Sequence, residues 1–153
     1  MNGPVFIFPF SRNLSTSEKD ELLNRFETFV SGWSAHGVPL PAGIRTEEDR
    51  FLLVSIDEEK AGASGCSKDK LHRFASETFG RMGLEEEKPG RFFVRSHEGK
   101  ILALSRGQLM EMLDSGVLER GNSLFPTWLD SEEEREKFWG RPISEFSRVL
   151  RLD

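Results

Sequence analysis

The stretch RFFVRSHEGKILAL, residues 91–104, indicates the fold class of this chain. Two apolar runs, Arg91–Arg95 and Ile101–Leu104, flank the polar, glycine-containing segment Ser96–Lys100, a pattern typical of a β-hairpin. A hairpin set apart from the helical segments is typical of an α+β protein, in which strands and helices do not alternate regularly. We therefore expect the α+β class.

The rest of the chain supplies further strands and helices. Strands are predicted over Val5–Phe10 and Phe51–Ile56, with a short one at Leu124-Phe125. Four helices are predicted, and each starts at a serine: Ser15, Ser67, Ser105 and Ser131. The resulting order is β-α-β-α-β-β-α-(β)-α. It predicts a single antiparallel or mixed sheet of about four or five strands with three to four helices.

Length and composition limit the kind of protein. With 153 residues, the chain has the size of one globular domain, and we predict a single domain over residues 1–153. The net charge of -5 makes nucleic acid an unlikely partner, because phosphate-backbone binding needs a basic surface. No run approaches the about 20 apolar residues of a membrane span, so no membrane partner is expected.

The single cysteine and the absence of nucleotide-binding motifs argue against further classes of protein. Because Cys66 is the only cysteine, no internal disulfide can form, and a reducing, cytoplasmic location is expected. Neither a P-loop nor a dinucleotide-binding fingerprint is present, so no tight nucleotide binding is expected. Three scattered histidines with one cysteine do not make a zinc pattern, and we predict no metal and no cofactor.

The segment GASGCSKDK, residues 62–70, is the candidate site. Small residues end the loop after a predicted strand, and a helix follows. Amide groups of a first helical turn lack intrahelical acceptors and point outward with the positive end of the helix dipole, which favours anions. The residues predicted to bind a ligand here are Ser64, Gly65, Cys66, Ser67, Asp69 and Lys70. Lys68 adds positive charge, and a thiol in this position can be activated.

A purely structural interpretation competes with this one. Ser67 can be the N-cap of the helix, which places Cys66 just before the cap and Leu71 four residues into the helix. These two apolar groups then form a hydrophobic staple, with Cys66 as a small buried plug. Helix starts of this kind far outnumber functional ones, so frequency alone favours this interpretation.

A second cluster, Trp33-Ser34-Ala35-His36-Gly37, follows the first predicted helix. His36 can act as a general base or orient a ligand, with Trp33 beside it. His36 can equally be a cation that interacts with the end of the helix dipole. Cys66 and His36 are the candidates for catalysis, because a thiol nucleophile needs a base within hydrogen-bond reach. The separation of the two residues permits such a contact without predicting it.

Taken together, these stretches resemble a known family. Trp33-x-x-His36-Gly37, then Arg50-Phe51, Asp57, and ASGCSxDK at residues 63–70 with Phe74 are similar to a family of bacterial proteins of about this length. These proteins are common in Bacteroidetes and are often labelled "ABC transporter ATPase". The resemblance covers most of residues 5–125, and SGCSxDK is its most specific part. The residues do not support the label, because both the Walker A and the LSGGQ motif are missing.

Three functions remain open from the sequence. The first is a small binding or regulatory module whose site at Ser64–Lys70 takes an anionic group, either of a small ligand or of a protein partner. The second is a thiol-dependent enzyme or redox-responsive protein that uses Cys66 with His36. The third is a protein-interaction domain that uses another face. We favour the first, because small residues, hydroxyls, lysines and a helix dipole coincide at one place.

We predict that the chain unfolds as one cooperative unit, because no linker of biased composition separates its predicted elements. Differential scanning calorimetry of the monomer should therefore show a single transition. Two well-separated transitions would contradict the prediction.

Overall fold

A computed structural model describes residues 3–35, 37–57 and 65–152. By the contacts between its Cα atoms, the chain divides into two compact units. Unit 1 comprises residues 1–86 and 129–135, and unit 2 comprises residues 87–128 and 136–153. The cooperative transition of a single domain stays a prediction for calorimetry to test.

Unit 1 contains most of the predicted N-terminal elements. Its strands and helices are β1 (Val5–Pro9), α1 (Thr16–Ser31), β2 (Ser34–Ala35), β3 (Val38–Pro39), β4 (Ala42–Glu47), β5 (Phe51–Ile56) and α2 (Gly65–Met82). β1, β5 and β4 form a three-stranded antiparallel sheet with β5 in the centre, and β2 pairs with β3.

Unit 2 is built around the predicted hairpin. It contains β6 (Phe92–Arg95), β7 (Ile101–Leu104), α3 (Arg106–Asp114) and β8 (Ser123–Phe125), and after residue 135 also β9 (Arg141–Pro142) and α5 (Ser147–Leu150). A further helix, α4 (Glu132–Phe138), starts in the residues of unit 1 and ends in those of unit 2. β7, β6, β8 and β9 form a four-stranded antiparallel sheet in that order.

The α+β class is confirmed, but the prediction of one sheet is wrong. Within the described residues the strands form three antiparallel sheets. The physical reason is that β1 and β5 take β4 as their third strand, while the hairpin β6–β7 extends through β8 and β9. Each of these two sheets is thus completed by strands from its own unit.

β4 is the largest element that the sequence analysis missed. Its side chains alternate between Ala42, Ile44 and Thr46 on one face and polar or small residues on the other. The turn to β5 uses Glu48 and Asp49 in the left-handed region, at φ 55° and 53°. Hairpin turns are usually recognised in a sequence by Asn-Gly and similar pairs, and Glu48-Asp49 is not such a pair. The ion pair between Lys19 Nζ and Asp49 Oδ1, at 2.5 Å, holds this turn against α1.

The core of unit 1 lies between its sheet and its two long helices. Alternate residues of β5 face this core, and they meet the buried faces of α1 and α2. The buried cluster includes Phe8, Leu22, Phe26, Leu52, Val54, Ile56, Leu71, Ala75 and Phe79. Several rings pack edge to face, as between Phe26 and Phe74 at 4.9 Å between centroids. Burial of these apolar side chains stabilises the unit.

Predicted helix caps are confirmed at three positions: at Ser131 the side chain accepts from the Glu134 amide at 3.1 Å, and the two others are complete capping boxes. Ser15 accepts from the Glu18 amide while the Glu18 carboxylate accepts from the Ser15 amide, which is a complete capping box. Ser105 and Gln108 form the same arrangement at α3. At α1, Arg12 adds two hydrogen bonds of 2.8 Å to the Glu18 carboxylate. The hydrogen bonds from Arg12 and from the Ser15 backbone lower the pKa of Glu18 to about 2.

Glu18→Gln should lower the free energy of unfolding by about 0.5–1 kcal/mol at pH 7, because it removes a charged cap. Since the pKa of Glu18 is lowered in the folded protein, its contribution is complete above the ordinary value of 4.5 and disappears as the pH falls toward 2. Urea unfolding at several pH values measures the difference between variant and parent. Glu21→Gln, on the same helix, is the control, and a difference that does not shrink with acid would contradict the prediction.

Candidate functional site

Two hydrogen bonds fix the start of α2 against the segment that follows α1. The indole Nε1 of Trp33 donates to the Ser67 carbonyl oxygen at 3.0 Å, and the Ser67 hydroxyl donates to the Ser34 carbonyl oxygen at 3.2 Å. Trp33 is 4% exposed and Ser67 is 3% exposed. Buried polar groups of this kind need their partners, so these bonds hold the first turn of α2 in place. The candidate segment around residues 65–70 and the second cluster, which begins at Trp33, are therefore in contact.

The staple interpretation of Cys66 is wrong. The described part of α2 begins at Gly65, so Ser67 lies inside the helix, and its hydroxyl donates to the Ser34 carbonyl oxygen. Cys66 also lies within α2, and its thiol is free and exposed. The spacing of the buried residues of α2 is consistent with a helical Ser67. Ser67 precedes the buried Leu71 by four residues, so the two side chains lie on the same face of the helix.

The other described residues of the predicted site face outward to different degrees. Gly65, Asp69 and Lys70 are exposed, and Lys68 is half-buried. Among the described residues, apart from the neighbours of Gly65 and the backbone of its own helix, no atom lies within 4 Å of the position that a Cβ on Gly65 would occupy. Amides of a first helical turn have no acceptor within the helix, and the positive end of the helix dipole lies there.

Two of the predicted site residues, Ser64 and His36, lie outside the described residues. The contact between His36 and Cys66, which the sequence permits without predicting it, is therefore not tested by the described residues. The structure does show that the residues immediately before His36 contact the first turn of α2, because Ser34 accepts a hydrogen bond from Ser67.

A buried carboxylate on the other face of the unit 1 sheet was missed by the sequence analysis. Glu132 is 4% exposed, although it lies in the acidic run Ser131–Glu136, a pattern typical of a solvated helix start. The Glu132 carboxylate accepts from Arg45 at 3.0 Å, from Ser55 at 2.9 Å and from Arg135 at 2.8 Å. We call these four residues the Glu132 cluster. Nothing in the run of similar glutamates distinguishes Glu132, so the sequence held no signal for it.

The charge of Glu132 is maintained by its partners. Burial by itself would raise the pKa of Glu132, but the hydrogen bonds from Arg135 and Ser55 outweigh it together with the charges of Arg45 and Arg135. The pKa therefore lies below its ordinary value. Because every oxygen of the carboxylate is engaged, the cluster has the character of a structural ion-pair network rather than of an acid–base site.

Other features of the described residues are less specific. Unit 2 carries an open polar depression of about 390 Å³, lined by residues that include Arg95, His97, Glu119 and Asn122. Among the described residues, no group of three or more histidine, cysteine or acidic side chains is arranged to hold a metal ion. None of the described helices combines the length and the apolar character that crossing a membrane requires.

Comparisons with protein-family models, with curated proteins and with solved structures gave no match. The family resemblance of the segment around residues 63–70 therefore stays a prediction.

We predict that Cys66 reacts with iodoacetamide in the folded protein, because its side chain is exposed in the first turn of α2. Mass spectrometry of the native protein should show one added carbamidomethyl group, and Cys66→Ser should show none. Modification that occurs only after denaturation would contradict the exposed position.

Proposed function

We propose that this protein is a small binding module, and that the start of α2 takes an anionic group of its ligand. The observation that carries the proposal is the pair of hydrogen bonds that join Trp33, Ser67 and Ser34. They hold the first helical turn rigidly on β2. A fixed turn can bind an anion without first being ordered, and that lowers the entropic cost of binding.

The residues of the site divide into two roles under this proposal. Trp33 and Ser67 are buried and act as positioning residues, because ligand cannot reach their side chains. Gly65, Cys66 and Lys70 are exposed and would contact the ligand. Backbone amides would supply the hydrogen bonds, and Lys70 would supply charge. Asp69 opposes that charge, so the proposed ligand is bound through the amides as much as through the lysine.

The proposal extends to His36, Ser64 and the setting of the protein. His36 and Ser64, which lie outside the described residues, complete the ligand-binding set that the sequence predicts. No cofactor is part of the proposal. A free cysteine in an exposed position fits a reducing compartment, and we propose the cytoplasm as the location.

Titration with inorganic phosphate tests the proposal. In ¹⁵N-labelled protein, the amide signals of residues 65–69 should shift first, because these groups would donate to the anion. Lys70→Gln should weaken binding by about two- to fivefold, the change expected for one exposed charge near a helix N-terminus. Lys100→Gln is the matched control, because the Lys100 side chain is 74% exposed and lies in the hairpin of unit 2.

The outcome is decided by which amides move. Shifts confined to residues 65–69 and weakened by Lys70→Gln would support the proposal. Shifts that begin elsewhere, or that respond equally to Lys100→Gln, would overturn it.

The exposed thiol of Cys66 favours a second candidate function, which is thiol-dependent or redox-responsive chemistry. Cys66→Ser separates the two candidates, since phosphate binding through backbone amides should survive this change and thiol chemistry should not. Loss of the phosphate-induced shifts in Cys66→Ser would favour the second candidate over the first.

A further inference from the structure

Residues 129–135, which we call the strap, belong to unit 1 although the chain on both sides of them belongs to unit 2. The strap runs beside the start of β1. The Val5 amide donates to the Asp130 carbonyl oxygen at 3.0 Å, and the Glu132 amide donates to the Gly3 carbonyl oxygen at 2.9 Å. Pro4 and Ser131 form an antiparallel bridge between these bonds. The strap thus covers the outer edge of β1 at its N-terminal end.

Side-chain contacts of the strap to the sheet converge on Glu132. Its carboxylate receives hydrogen bonds from Arg45 on β4 and from Ser55 on β5, and it enters the sheet face with 4% exposure. Arg135, at the end of the strap, donates to the same carboxylate at 2.8 Å and shields it. The strap therefore joins β1 through two backbone bonds and joins the two other strands through one carboxylate.

Apart from two backbone hydrogen bonds and the buried side chain of Leu129, the attachment of the strap to the sheet depends on one group. Two backbone hydrogen bonds at one end of a strand do not by themselves hold a segment stably. Loss of the Glu132 carboxylate leaves Arg135 and Ser55 without this acceptor, which is costly. Local opening events occur where few contacts hold a segment, and their frequency follows the free energy of those contacts.

We infer that Glu132 is a latch, and that the strap is a conformational device which opens while the rest of unit 1 stays folded. Opening withdraws the carboxylate from Arg45 and Ser55 and breaks the bonds to Val5 and Gly3. It uncovers the outer edge of β1, whose sequence Val5-Phe6-Ile7-Phe8 is apolar. An uncovered edge strand can accept a further extended segment, so the strap controls access to that edge.

Native-state hydrogen exchange tests the latch. In Glu132→Gln, the Val5 amide should exchange roughly tenfold faster or more, because the charge that holds the strap is gone. The Leu14 and Leu84 amides, which donate to Asp49 and Phe79 within unit 1, should change by less than about twofold. Glu145→Gln is the control, since it removes the carboxylate of an exposed arginine pair with Arg141 at 2.7 Å.

The pattern of exchange decides the inference. Faster exchange at Val5 alone supports an opening strap. Equal acceleration at Val5, Leu14 and Leu84 would show that the whole unit is destabilised, and no acceleration would show that Glu132 does not hold the strap. Either result overturns the inference. If Glu132→Gln does not fold, Ser55→Ala decides in the same way, with an expected acceleration at Val5 of about threefold, since only one hydrogen bond is lost.

Discussion

The complete burial of β5 is the constraint on which unit 1 depends. All six residues from Phe51 to Ile56 are buried, so both faces of this central strand must be covered. One face packs Leu52, Val54 and Ile56 against the core formed with the helices. The other face presents Ser55, a polar group that cannot remain buried without a partner. Glu132 supplies that partner, and a strand central to the hydrophobic core thereby also requires an ion-pair network.

The burial of β5 also explains why two helices pack against the core face of the sheet. α1 and α2 cover the core face of the sheet, and their aromatic side chains pack on one another, as Phe29 and Phe74 do with ring centroids 4.4 Å apart. Trp33 continues this packing beyond the end of α1, with its ring 5.6 Å from that of Phe29. The indole then donates to Ser67, so the aromatic core positions the first turn of α2. The candidate site is therefore built on the core rather than on a separate loop.

The sequence predicts an element correctly where its local pattern and the tertiary structure favour the same conformation. The hairpin β6–β7 and the capping boxes at Ser15 and Ser105 depend on residues close in the chain, and the structure confirms them. β4 was missed because its polar face and its Glu48-Asp49 turn resemble a charged loop. The Glu132 cluster was missed because it joins residues 45, 55, 132 and 135, which only the fold brings together. No single-residue property marks one buried glutamate in an acidic run.

In the candidate site too, some features follow from the local sequence and others depend on residues that are distant in the chain. The sequence indicated the correct segment, but it placed Ser67 at the N-cap and so exchanged the roles of neighbouring residues. Because Ser67 lies inside α2, its side chain falls on the buried stripe that continues through Leu71 and Ala75. Cys66 then necessarily falls off that stripe, because adjacent helical residues differ by about 100° in direction. A buried serine and an exposed thiol follow from one shift of register. The local alternatives, Ser67 as an N-cap beside a buried thiol or Ser67 inside the helix beside an exposed thiol, differ little in sequence. The distant Trp33 decides between them, because its indole needs the Ser67 carbonyl as an acceptor.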